Sequence, residues 1–412
     1  SMAAHLVGFL GKNENAEEIG RYGIEGALED ELKPRSAKNL FKMDALGFLL
    51  AGQKYESKNL DGRDVTLTIR RDVQNLAEQN LEWGIEQYQA DRGEIIILES
   101  QTGKILALAT WPKYEPWRYF NYPSEILKNP SLTRLYEPGS TFKTLTIAAG
   151  IDSGVIQKDT VCTKCAGPRQ IAGYSIKTWN DVYHPNITMI DGYAKSDNTA
   201  MIFISDLLGS DRFVDYLKKF GIGQQIEIDL QDDTRTPFPN KIGPVETATI
   251  SFGQGISTNS LELLRAVNVI ANRGKMLEPI IVEKVFDKQK QQELIGSIKE
   301  REQIISAEAA ATVTAMMVEA AQHGEAQWIA SDKYTVAAKT GTSQVPDPQG
   351  GYKENETIAS FIGFAPASQA KFTMLVKLEN PKSSPWAAET AAPLWYKVAD
   401  KLMILLNITP DK

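Results

Sequence analysis

The chain is predicted to be an α+β protein: a central antiparallel sheet flanked by helices, with a large helical subdomain. Three observations predict it. Two strand-like runs come early, at 93–99 and 104–110. Three more come late, at 334–342, 360–365 and 372–378. The intervening stretch, about 140 to 330, reads mostly as helix. A sheet assembled from both ends of the chain, with helices between, satisfies all three.

The elements follow in order. Residues 1–64 read as a smaller unit, with Gly20, Gly23 and Gly26 around a short acidic stretch and few strand signals. Asn59-Leu60-Asp61-Gly62 reads as a turn and marks the boundary to a second unit, 65–412. From Asp72, the residues Val73, Ala77, Leu81, Gly84 and Tyr88 recur at helical spacing. Gln101-Thr102-Gly103 supplies the turn between the two early strands. In the middle region, Asn259 is placed to cap a helix with Glu262 three residues on, and Leu263, Val267 and Ile270 share a face. The segment 288–293 reads as a charged surface turn. Leu394, Val398, Leu402 and Leu405 line one face of a final helix.

The 412 residues are 42% hydrophobic, enough for a large core. The net charge is −7 and no dense basic run occurs, so nucleic acid is not an expected partner. The longest apolar runs, such as Ile95-Ile96-Ile97-Leu98, are far too short to span a bilayer. Ser1-Met2 reads as a remnant of recombinant expression. The two cysteines, Cys162 and Cys165, suit a small disulfide ring, half a zinc site or two free thiols. A zinc site needs two further ligands, and His184 is one candidate.

Three short segments carry the chemistry. Tyr136-Glu137-Pro138-Gly139 reverses the chain and a helical run follows, with Ser140 in its first turn and Lys143 three residues on. This sets an amine beside a hydroxyl. A serine hydroxyl is a weak nucleophile until a base removes its proton. A lysine serves only when neutral, and burial or a second cation such as Lys339 favours that form. Ser-x-x-Lys is not specific alone: Ser368-Gln369-Ala370-Lys371 repeats it in a turn between two predicted strands, where nothing fixes the pair. The second segment is Ser196-Asp197-Asn198, ahead of the helical run 201–208. As structure it is a helix cap. As chemistry, Ser196 is placed to relay a proton between Lys143 and a leaving amine, and Asn198 to bond both Lys143 and a substrate amide. The third is Lys339-Thr340-Gly341-Thr342, at the end of a strand. Alternation puts Thr340 and Thr342 on one face beside an ammonium, a carboxylate site, and Gly341 leaves room for a ligand backbone. The backbone N–H groups of Ser140 and Thr342 are the candidate oxyanion hole.

With all three segments in this order, residues from about 65 to 405 resemble the transpeptidase domain of penicillin-binding proteins. The likeness extends to 136–143 and to Ser251-Phe252-Gly253-Gln254-Gly255, a glycine-rich loop read here as a helix start with no catalytic part. Residues 1–64 resemble the end of the non-catalytic pedestal of class B members, through His5-Leu6-Val7-Gly8 and Gly23-Ile24-Glu25. The resemblance implies D,D-transpeptidation of peptidoglycan stem peptides through a Ser140 acyl-enzyme, covalent inhibition by β-lactams, and no metal or organic cofactor. It also implies an N-terminal membrane anchor, an extracytoplasmic location and a SEDS-type membrane glycosyltransferase as partner. The role in elongation or division and the acceptor group are not implied.

Two alternatives remain open at this stage. A serine β-lactamase or D,D-carboxypeptidase shares the motifs and admits water; class A β-lactamases use a glutamate in Glu-x-x-Leu-Asn, and Glu227, Glu246 and Glu262 are not in that pattern. A β-lactam sensor or idle scaffold is the other, against which the intact Ser140, Lys143, Ser196, Asn198 and Lys339 stand.

Overall fold

The computed structural model describes residues 1–36, 59–231, 235–295, 302–347 and 349–412. The predicted N-terminal unit therefore falls partly outside the described residues, at 37–58. The core is a five-stranded antiparallel sheet built from β1 (Arg92–Glu99), β2 (Ile105–Trp111), β3 (Ala337–Pro346), β4 (Tyr352–Ala365) and β5 (Phe372–Glu379). Its order is β3-β4-β5-β1-β2. The early pair docks on the last strand, Ile95 opposite Val376, so the sheet closes from both chain ends as the sequence predicts.

Alternation explains why the run 95–98 is continuously apolar. Ile95 and Ile97 face a core shared with α1 (Arg71–Tyr88) and the last helix, α7 (Ala391–Leu405), whose Val73, Leu81, Leu394 and Leu402 are fully buried. Ile96 and Leu98 face the helical subdomain. A sheet covered on both faces has no polar side to show. Trp395 anchors α7 by donating its indole N–H to the Met374 carbonyl at 2.9 Å.

The helical subdomain contributes α2 (Lys143–Asp152), α3 (Met189–Ala194), α4 (Asn198–Leu208), α5 (Ser260–Ala271) and α6 (Ala307–His323). Asn259 caps α5, its side chain accepting from the Glu262 N–H at 2.8 Å. Lys143 opens α2 after a 3-10 turn, Gly139–Phe142, that holds Ser140.

Several local expectations change. Asn59–Leu60 is a short strand paired with Arg35–Ser36 rather than a turn. The N-terminal residues hold a hairpin, Phe9–Lys12 with Glu18–Arg21. Its turn is closed by Asn13, whose side-chain oxygen accepts from the Glu17 N–H at 3.0 Å, a device that hydrophobic patterning does not reveal. β4 begins eight residues before the predicted 360, because its first half is a polar hairpin arm beyond the covered sheet. The N-terminal residues pack firmly: Leu6 and Ile24 enter the main core, and His5 is clamped between Thr110 Oγ1 and the Ile126 carbonyl, each at 2.7 Å. Strand Asp64–Leu67, at the expected boundary, pairs with Val282–Asp287.

Candidate active site

Ser140 sits where three backbones meet. Gly139 has φ +57° and donates its N–H to the Gly253 carbonyl at 3.0 Å. Gly253, at φ +83°, passes so close that a Cβ there would lie 2.1 Å from the Gly139 oxygen. Only glycine tolerates that approach and that dihedral. Glu137 binds the same loop, accepting from the Gly255 N–H at 2.9 Å and from the Tyr352 hydroxyl at 2.9 Å. The 251–255 loop is thus the backing of the serine turn, a part that reading it as a helix start missed.

Lys143 is completely buried. Its Nζ donates to the Ser196 carbonyl at 2.6 Å and to Ser196 Oγ at 3.1 Å. Ser196 lies between α3 and α4 at φ +56°, a left-handed conformation unusual for serine. It is held there on both sides: its own N–H bonds the Tyr193 carbonyl at 3.1 Å, and the Asp197 N–H bonds the Gly192 carbonyl at 2.8 Å. Asp197 caps α4, accepting from the Thr199 N–H at 2.7 Å. The cap and the chemical reading of this segment therefore coexist; the cap holds Ser196 in place.

Lys339 reaches the same hydroxyl. Its Nζ lies 3.1 Å from Ser196 Oγ and 3.1 Å from Thr340 Oγ1. Two buried lysines around one oxygen cannot both be comfortably charged. Burial first, and then the Lys339 charge, push Lys143 down to about 7, against the opposing pull of Glu325 and Asp197. Burial lowers Lys339 too, with Glu325 opposing.

β3 is an edge strand, so one row of its backbone groups faces the cleft. Ser140, Asn198 and Thr342 line a pocket of about 90 Å3, with Glu325, Trp179 and Trp386 at its margin. The rings of Trp179 and Trp386 stand 5.1 Å apart. Ser140 Oγ is half-buried and has no hydrogen-bond partner among the described residues, a state common before substrate tightens such a site.

Other expectations need correction. Asn198 does not bond Lys143: its amide donates to the Lys177 carbonyl at 3.1 Å, because the start of α4 turns it outward to the 177–180 loop. Gly341 does not clear a path for a ligand. A Cβ there would meet Thr141 Cγ2 and Ser360 Oγ, each at 2.7 Å, so glycine is needed for β3 to pack against the serine turn. Thr340 Oγ1 donates to Glu325 Oε2 at 2.7 Å, and Thr342 Oγ1 accepts from the Ala387 N–H at 3.1 Å. Cys162 and Cys165 form a disulfide and His184 Nδ1 faces Asp197 Oδ2 at 3.4 Å, so the alternative zinc set of Cys162, Cys165 and His184 loses both thiolates. The second Ser-x-x-Lys, at Ser368 and Lys371, is exposed in the turn before β5.

The sequence reading missed Glu325, Trp179 and Trp386. Glu325 belongs to no spacing pattern, and lone tryptophans in polar loops carry no positional signal.

The family model for the penicillin binding protein transpeptidase domain matches residues 93–400. The chain belongs to the penicillin-binding protein transpeptidase family. Among curated relatives, stage V sporulation protein D of Bacillus subtilis is 30% identical over the whole of this chain and 64% of its own length. Peptidoglycan D,D-transpeptidase FtsI of Escherichia coli is 27% identical over the whole chain and 67% of its own length. The chain thus spans about two thirds of those relatives' own length. Penicillin binding protein 3 of Mycobacterium tuberculosis complexed with aztreonam is 25% identical, with a TM-score of 0.86 over all of this chain and 90% of that one.

Proposed function

We propose that the protein is a serine D,D-transpeptidase of peptidoglycan, acylated at Ser140 by the D-Ala-D-Ala end of a stem peptide and by β-lactams. One observation carries the assignment of roles: Ser196 Oγ lies 3.1 Å from both Lys143 Nζ and Lys339 Nζ, in a buried cluster beside Ser140.

A neutral Lys143 takes the proton from Ser140 Oγ as that oxygen attacks the penultimate D-Ala carbonyl. At a pKa of about 7, roughly half the lysine is neutral at pH 7. The backbone N–H groups of Ser140 and Thr342 receive the oxyanion. The C–N bond breaks and the proton passes through Ser196 to the departing D-alanine amine. An amine of a second stem peptide then attacks the ester, forming an amide, and the proton returns to Ser140. Lys339, Thr340 and Thr342 hold the terminal carboxylate of the donor, Gly341 shapes the strand beneath it, and Asn198 bonds the donor amide after leaving Lys177. A β-lactam opens without losing a fragment, so its acyl group stays in the cleft.

Residues 1–64 serve as the end of a pedestal and 65–412 as the catalytic domain, a division supported by the span of the family match. Peptidoglycan places the reaction on the extracytoplasmic face of the membrane, with a SEDS-type glycosyltransferase as the expected partner. Among the described residues no helix is long and apolar enough to cross a membrane.

The test is intact-protein mass after benzylpenicillin treatment, followed over hours. A persistent single adduct on the wild type, absent from Ser140→Ala, is expected. Rapid loss of the adduct with drug turnover indicates a β-lactamase instead, and no adduct indicates an idle scaffold.

A further inference from the structure

The anion anchor of the cleft is not empty-handed. Glu325 follows α6 and stands opposite Thr340, whose hydroxyl donates to Glu325 Oε2 at 2.7 Å. The same hydroxyl receives Lys339 Nζ at 3.1 Å. A side-chain carboxylate therefore already occupies the threonine hydroxyl of the lysine–threonine pair assigned above to the donor carboxylate. The fold fixes it there. Gly324 passes so close to α3 that a Cβ would lie 2.9 Å from the Ala194 carbonyl oxygen. That close approach carries the next residue to the groove wall. Glu325 lines the pocket of Ser140 and also a second cavity of about 270 Å3, and Trp179 lines both. It is exposed, whereas the Thr340 and Lys339 it faces are buried.

Resting on the transpeptidase reading, we propose that Glu325 is a specificity-determining residue of the donor subsite: a resident carboxylate that donors bearing a terminal carboxylate must displace or tolerate. The physical reason is like charge at short range. Glu325 partly compensates the Lys339 charge before substrate arrives, and an incoming carboxylate shares the same few ångströms with it. Its electrostatic reach to both Lys143 and Lys339 fits this position. The device weakens the binding of every anionic donor or β-lactam and gives an advantage to ligands that bring a cationic group alongside their carboxylate.

A charge series separates this from a structural role. Glu325→Gln keeps an acceptor for Thr340 Oγ1 and removes the charge; Glu325→Lys reverses the charge and removes the acceptor. Both changes are at an exposed position, and thermal melting checks that the fold is intact. The Ser140 adduct with benzylpenicillin is timed by intact mass over a range of drug concentrations, at low and high salt. The half-saturating concentration is expected to fall by roughly 3–10-fold in Glu325→Gln, to be no higher in Glu325→Lys than in Glu325→Gln, and to converge among all three proteins at high salt. Equal half-saturation in wild type and Glu325→Gln, or weaker binding in Glu325→Lys than in wild type, overturns the inference while leaving Ser140 as nucleophile. No adduct on the wild type overturns the transpeptidase reading and this inference together.

Discussion

Lys143 shows how one residue trades stability for chemistry. Its folded pKa of about 7 lies well below the ordinary lysine value of 10.5. Between those values the unfolded chain binds the extra proton, so stability rises with pH across that window. The destabilisation is fully present below pH 7 and is gone above the unfolded value. Lys143→Met is therefore expected to abolish acylation yet raise stability at pH 7 by about 1–3 kcal/mol, once the lost bonds to Ser196 are set against the relieved burial. Urea denaturation at pH 7 and pH 10 checks it: the gain must shrink at the higher pH. The same titration governs rate. The neutral lysine is the base, so acylation of Ser140 at subsaturating benzylpenicillin is expected to climb through about pH 7 and level off above it. A flat profile from pH 5.5 to 8.5 contradicts that role.

Among the elements, the serine turn and the 251–255 loop act as one unit. The turn is short, and its position comes from the Gly139–Gly253 bond and the Glu137 bridge to Gly255. Gly253→Ala adds a Cβ 2.1 Å from the Gly139 oxygen at a positive φ. The backbone must give way, at a cost of about 1–3 kcal/mol, and the displaced part is the nucleophile's own turn. Acylation is expected to drop at least tenfold while the melting temperature falls only by several degrees. An unchanged acylation rate counts against the backing role. The loop was legible in the sequence as a glycine-rich segment, and its partner was not, because 253 − 139 = 114 residues separate the two glycines.

At the scale of the whole molecule, the sheet carries a buried charge where its two ends meet. Lys377 on β5 is fully buried and pairs with Glu94 on β1 at 2.7 Å and Glu379 at 3.3 Å, with its ammonium 4.4 Å from the Tyr136 ring centre. Lys377→Met strands the Glu94 carboxylate in the core, which costs about 3–5 kcal/mol. Removing both charges with Lys377→Met and Glu94→Leu is expected to recover much of that loss. A double-mutant cycle in urea decides it; additive losses rule out the coupling. The pair joins strands from opposite ends of the chain, so its loss weakens the seam of the sheet.

Local rules determined much. The short apolar runs at 93–99 and 372–378, the helix from Asp72 and the Asn259 cap are set by neighbours in sequence, and all of them form where the pattern says. So are the three motifs themselves: Ser140 and Lys143 share a turn, Asp197 caps the helix that follows Ser196, and Lys339 to Thr342 lie on β3. Their convergence is another matter. That Lys143 and Lys339 both meet Ser196 Oγ depends on the packing of α2, α3 and an edge strand nearly two hundred residues downstream of the serine turn. The depressed Lys143 follows from that burial, since a lysine in an exposed helix keeps its ordinary pKa. Asn198 turning to Lys177, Gly341 packing under the serine turn and the Glu325 carboxylate on Thr340 were equally beyond the sequence, which left the Cys162–Cys165 pair open between a disulfide and two other states. Spacing along a chain reports which residues share a face; only the tertiary structure decides which faces meet, and the site is made where they do.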